Sequence, residues 1–148
     1  MQAAEPYGMS RTATSAAIRP LRVFLVEDSA ILREHLTETL SSLEFVEVAG
    51  HADTERDAIA ALRAQPFHAV VLDLQLKEGH GFDVLKALRA YRSTAHLVVL
   101  ILTDHATPQY RARSIALGAD YFFDKSREYG QLCELLLDLA LMQTSPRR

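Results

Sequence analysis

The chain has 148 residues, of which 24% are charged and 49% apolar, and a formal net charge of −3. At roughly 100–200 residues per domain this is the length of one globular domain, large enough to hold a core without staples. The lone Cys133 has no partner for an internal bridge, which fits a reducing, cytoplasmic setting, and the acidic balance gives no basic footprint, so direct DNA binding would require a second domain for which the length leaves no room.

Residues 1–20 are small and polar, show no hydrophobic period and end at Pro20; they are read as a mobile arm. A single domain is expected over residues 21–143, followed by a short tail over 144–148. Short apolar runs then alternate with helical stretches. Strands are predicted over residues 21–26, 45–49, 69–72, 97–102 and 119–123, each a continuous Val/Leu/Ile/Phe-rich run of the kind buried on both faces. These runs are far too short to span a bilayer, so no membrane insertion is expected.

Helices must cover both faces of such strands. Leu32, Leu36, Leu40 and Leu43 share one helical stripe. Ala58, Ile59 and Leu62 continue the pattern after an expected N-cap at Asp53. A third helix is predicted over 82–91, a fourth over 108–117 with Gly118 as its stop, and a fifth over 127–142. In the fifth, Leu132, Leu135, Leu136 and Leu139 form the sheet-facing stripe. Cys133, Leu137 and Leu141 form a second, read either as a broader buried face or as a homodimer contact. Five strands alternating with five helices make an α/β, doubly wound five-stranded parallel sheet with helices on both faces.

In such sheets function gathers at the carboxyl ends of the strands. The first strand ends in Glu27-Asp28, the third in Asp73, the fourth in Thr103 and the fifth in Asp124-Lys125. Carboxylates converging in one crevice repel one another unless a cation compensates. Oxygen donors without His or Cys suit a hard divalent ion, and Mg²⁺ accepts phosphate oxygens readily. With the Thr103 hydroxyl and the Lys125 ammonium facing the same anion, the set reads as a phosphoryl site with a carboxylate nucleophile.

The segments RVFLVEDSAILREHL, HAVVLDLQLKEGHGFDVLKAL and LVVLILTDHATPQYRARSIALGADYFFDKS resemble the receiver domains of response regulators in two-component signalling. The resemblance implies a flavodoxin-like receiver fold with strand order 2-1-3-4-5. By position, Asp73 matches the phosphoacceptor, which takes a phosphoryl group from a sensor histidine kinase or a histidine phosphotransfer protein. Asp28 matches a direct Mg²⁺ ligand, Glu27 its acidic neighbour acting through coordinated water, and the backbone carbonyl of Gln75 a further metal ligand. Thr103 and Lys125 match the hydroxyl and cation that close on the phosphate. Phe122 matches an aromatic switch, and Gly81 the glycine that closes the loop after the phosphoacceptor strand. The face built from the fourth helix, fifth strand and fifth helix is what a downstream protein reads.

The chain departs from the family pattern at several positions. Ser126 follows Lys125 where proline is usual, which leaves the Lys125–Ser126 peptide open to either isomer. Lys77 stands in a loop position where proline is common. Asp104 follows Thr103 where a small residue is usual, and with His105 and Gln75 it flanks the pocket, so an altered phosphoryl lifetime is expected. Each residue also has a plainer reading. Glu27 and Asp28 can be a helix-start acidic pair, Thr103 an N-cap for the fourth helix, Lys125 a solvated cation and Phe122 a core aromatic. His35, His51, His68, His80, His96 and His105 show no ligand spacing and are read as structural or surface residues.

Two other functions compete with the signalling module. A phosphatase of the haloacid dehalogenase type also uses an Asp nucleophile, but it needs an acid two residues later, where this chain has Gln75, and its nucleophile lies on the first strand. A phosphate-independent interaction module on the same fold is the closer alternative, motivated by Asp104 and Ser126. No G-x-G-x-x-G follows the first strand, which argues against a dinucleotide site.

Overall fold

The computed structural model describes residues 19–144, so most of the arm and the tail lie outside the described residues. The elements run β1 (Leu21–Val26), α1 (Ala30–Ser41), β2 (Val46–Ala52), α2 (Glu55–Ala64), β3 (Ala69–Leu72), α3 (Gly81–Ala90), β4 (Val98–Thr103), α4 (Pro108–Ala116), β5 (Tyr121–Asp124) and α5 (Tyr129–Thr144). All neighbouring strands pair in parallel, in the order β2-β1-β3-β4-β5. Chain order reverses direction between β1 and β3, which opens a crevice at the carboxyl edge there.

Alternation along the strands divides the core in two. Leu21, Val23 and Leu25 join Leu36 and Leu40 of α1 and Leu132, Leu136 and Ala140 of α5 on one face. Phe24 and Val26 join Leu62 of α2, Phe82, Leu85 and Leu88 of α3 and Phe122 of β5 on the other. The side-chain period of two therefore sends Phe122 toward α4 and Phe123 toward α5.

Several boundaries differ from expectation. β2 begins at Val46 rather than 45, because Phe45 has a left-handed φ of 64° that ends the turn after α1. It runs on to Ala52 through a register shift in which Val23 pairs with Val48 and Phe24 with Gly50. A side chain at Gly50 would lie 3.0 Å from the Phe24 ring, so the glycine lets that ring pack over the edge strand. The cap of α2 is Thr54, whose hydroxyl accepts the Asp57 N–H, and not Asp53. Asp53 instead lies 3.7 Å from Lys77, which ties the loop after β3 toward α2. Strand β5 begins at Tyr121, two residues late, while Gly118 has the left-handed φ of 108° expected of a helix stop.

In α5, Leu135 and Leu139 of the sheet-facing stripe and Cys133 of the second pack against the buried core, and Leu137 is half-buried. Leu141 is 43% and Met142 68% exposed at its far end. Burial pushes the Cys133 thiol up, which favours its protonated form. Among the described residues, no helix is long and apolar enough to cross a membrane.

Candidate functional site

Backbone bonds one residue beyond the strands bring the polar groups to a single edge. The Glu27 N–H donates to the Ala52 carbonyl at 3.0 Å, the Asp73 N–H to the Val26 carbonyl at 3.0 Å, and the Lys125 N–H to the Thr103 carbonyl at 2.9 Å. Glu27 and Asp73 are 3% and 6% exposed, whereas Asp28 beside them is exposed. Gly81, whose N–H donates to the Leu74 carbonyl, lies against the backbone carrying Asp73: an added Cβ would overlap the Asp73 carbonyl oxygen and sit 2.7 Å from the Leu74 Cα.

Lys125 holds the two buried carboxylates together. Its Nζ donates to Glu27 Oε1 at 2.8 Å and to Asp73 Oδ2 at 2.9 Å. The remaining oxygens are also engaged: Glu27 Oε2 accepts the Ser29 N–H at 3.0 Å, and Asp73 Oδ1 the Gln75 N–H at 3.3 Å. Burial pushes the Glu27 carboxyl above its ordinary value, and the hydrogen bonds from Lys125 and Ser29 only partly offset it. On Lys125 burial opposes the charge, but the hydrogen bonds to Glu27 and Asp73 outweigh it and raise the ammonium's pKa. A charged lysine, half-buried and bonded to two carboxylates, replaces the reading of Lys125 as a solvated cation.

The pair Glu27-Asp28 is not a helix-start feature either. α1 is capped by Ser29, whose hydroxyl accepts the Leu32 N–H, and its first turn holds no acidic residue. One oxygen from each of Glu27, Asp28 and Asp73 lies within 4.8 Å of the others. An all-oxygen donor set with two buried members fits a hard divalent ion. The cavity in front of them, about 220 Å³, is lined by these three acids together with Lys125, Gln75, Asp104 and His105. The two pocket-flanking residues Asp104 and His105 thus face the same space as the acids, and both are exposed.

Thr103 and Phe122 are not among the residues lining this cavity. Thr103 is fully buried, and its hydroxyl accepts the His105 N–H at 3.1 Å. It does not cap α4; that role belongs to Thr107, which accepts the Tyr110 N–H at 3.1 Å. Phe122 is 5% exposed and lies with its ring 4.7 Å beneath the Arg111 guanidinium, which also donates to the Phe122 carbonyl at 3.2 Å. All described peptide bonds are trans, Lys125–Ser126 included.

The bonds around Lys125 escaped the sequence reading, which named Asp124 and Ser126 without them and did not single out Glu128. Asp124 Oδ1 accepts both the N–H and the hydroxyl of Ser126, at 2.9 and 2.8 Å. Glu128 Oε1 in turn accepts the Asp124 N–H at 2.8 Å. The signal was present as Asp-x-Ser-x-Glu at a strand-to-helix turn, the kind of polar spacing that caps chain ends. Of the histidines, His80 caps α3, its Nδ1 accepting the Phe82 N–H at 3.0 Å, and His68 Nδ1 accepts the Arg22 N–H at 2.8 Å. Both are structural.

With this geometry in place, comparison with known proteins is direct. The chain is 36% identical over 110 residues to a protein-glutamate methylesterase/protein-glutamine glutaminase of Symbiobacterium thermophilum, covering 72% of this chain and 29% of that protein. It is 27% identical over 115 residues to the fimbriae Z protein of Salmonella typhimurium, covering 78% of this chain and 54% of that protein. The chain thus spans about half or less of the length of these curated relatives. Among solved structures, the signal receiver domain of the putative response regulator NarL from Mycobacterium tuberculosis superposes with a TM-score of 0.75 at 26% identity, over 83% of this chain and 98% of that one. The sequence profile of the response regulator receiver domain matches residues 23–137, most of the chain and every strand-end residue described above. The chain therefore belongs to the response regulator receiver domains of two-component signalling.

Proposed function

We propose that Asp73 is a phosphoacceptor and that the domain signals through its own surface to a partner protein. The observation that carries this reading is the Lys125 ammonium, bonded to Asp73 Oδ2 at 2.9 Å inside a cluster of three acids. One Asp73 oxygen attacks the phosphorus of a phosphohistidine on a sensor histidine kinase or a histidine phosphotransfer protein. The P–O bond forms as the P–N bond breaks, and the leaving imidazole takes up a proton. Glu27, Asp28, Asp73 and the Gln75 carbonyl would hold Mg²⁺, which when bound neutralises the negative charge of the transferring group. Lys125 supplies the protein's own positive charge there.

The added charge and acceptor oxygens on Asp73 favour a closer approach of Thr103 and Lys125. Movement of Thr103 opens space for the Phe122 ring and biases a two-state arrangement of the α4/β5/α5 face, where a downstream protein docks. Asp104 and His105 tune access to the pocket and with it the lifetime of the phosphoryl group.

The test is incubation with Mg²⁺ and a small phosphodonor, read by intact mass. The wild-type chain is expected to gain one phosphoryl group and Asp73→Asn none. A wild-type chain that gains nothing, behaving as Asp73→Asn does, would replace this reading with that of a phosphate-independent interaction module.

A further inference from the structure

Lys125 lies in the short segment between β5 and α5, outside any strand or helix. Its reach to Glu27 and Asp73 therefore depends on what fixes that segment. Two carboxylates do so reciprocally. Asp124 reaches forward with Oδ1 to both the N–H and the hydroxyl of Ser126. Glu128 reaches back to the Asp124 N–H, while its own N–H donates to the Asp124 carbonyl at 2.8 Å. Lys125 is thus enclosed in one hydrogen-bonded turn. The turn is fastened to α4 by Arg111, whose guanidinium lies 3.5 Å from Glu128 Oε1.

We propose that Asp124 and Glu128 are positioning residues for Lys125, holding its ammonium at the two buried carboxylates. The proposal rests on the reading of the pocket as a phosphoryl site only for its kinetic consequence. One bond of the clasp, from the Ser126 N–H to Asp124 Oδ1, needs an N–H at position 126, a donor that proline would remove. The Ser126 hydroxyl, and then its N–H, hold the Asp124 carboxyl below its ordinary range, so it is ionised and accepting at neutral pH. Displacing a charged group by an ångström at a reacting centre is enough to slow transfer strongly.

Asp124→Ala removes the acceptor, Asp124→Asn keeps an amide oxygen in its place, and Ser126→Ala keeps only the N–H bond. The readouts are the ¹H–¹⁵N resonance of the Lys125 ammonium, the initial rate of phosphoryl uptake from acetyl phosphate with Mg²⁺, and the thermal midpoint. Asp124→Ala is expected to broaden away the ammonium resonance and to slow uptake roughly tenfold with the midpoint little changed. Asp124→Asn should restore both, and Ser126→Ala should fall between. An intact ammonium resonance and unchanged uptake in Asp124→Ala would overturn the proposal, as would a lowered midpoint with no change in that resonance. If Asp124→Ala does not fold, Ser126→Ala decides by the same readouts. If the wild type takes up no phosphoryl group, the function proposed above fails while the ammonium resonance still judges the clasp.

Discussion

At the carboxyl edge of the sheet, Glu27 and Asp73 are buried with one lysine between them. At the amino edge the corresponding polar group is His68, tucked where β1 and β3 begin. The two edges differ in what their hydrogen bonds require. His68 Nδ1 must stay unprotonated to accept the Arg22 N–H, and its Nε2 lies 2.9 Å from Gln143 Nε2. Glu27, Asp73 and Lys125 form a charged set whose members satisfy one another. A neutral ring costs little to bury when bonded, whereas buried charges are tolerated only as a complete set. One edge holds the sheet together, and the other keeps charge poised near a cavity.

The largest break in this contrast should come from Lys125→Met. It leaves two buried carboxylates without their cation and is expected to cost about 2–4 kcal/mol in urea unfolding at neutral pH. Unchanged stability would show that the carboxylates are satisfied without the lysine. Gly81→Ala comes next. Its Cβ has no room beside the Asp73 carbonyl and Leu74 Cα, so a loss of about 1–3 kcal/mol is expected, with slower phosphoryl uptake because the Asp73 backbone must move.

The amino edge should respond to pH in the opposite sense from Glu27, whose pKa burial raises. Burial, then the charge of Arg22 and then His96, lower the His68 pKa below its ordinary 6.5. The folded protein therefore binds fewer protons than the unfolded chain just below that value. Stability is present above 6.5 and is lost as pH falls through the folded-state pKa. The urea midpoint should fall between about pH 7.5 and about pH 5.5, and His68→Gln, which can still accept the Arg22 N–H, should flatten that fall. Equal slopes in the two proteins would remove His68 as its source. The smallest effect is expected at the mouth of the pocket. Asp104→Ala should speed uptake from a small anionic donor by about two- to threefold at low salt and alter phosphate loss, with the difference shrinking as salt rises. Identical rates would reject a role for Asp104.

The sheet was legible because both-sided burial leaves continuous apolar runs, and those runs placed β1 and β3 to the residue. β2 was harder. As an edge strand it carries Glu47, Gly50 and His51 among its apolar residues, and its extent is set by pairing with β1 and by the left-handed Phe45 rather than by composition. The acidic cluster was legible because Glu27-Asp28 and Asp73 come directly after β1 and β3. The bonding among Asp124, Ser126 and Glu128 was not, since a turn of polar residues looks solvated until the bonds between them are seen. The cap at Thr54 escaped for the same reason: which of two adjacent polar residues takes the cap depends on backbone angles that sequence periodicity does not carry.

Arg111 joins things that would otherwise be separate. Its guanidinium bonds the Phe122 carbonyl, covers the Phe122 ring and pairs with the carboxylate that closes the Lys125 turn. Thermodynamic linkage through such a joint has no preferred direction. A protein that grips the α4/β5/α5 face more tightly in one setting of that ring must bias the lysine's hold on the pocket by the same free energy. On the proposed reading, the receiving partner is then a regulator of the phosphoryl site as well as its audience.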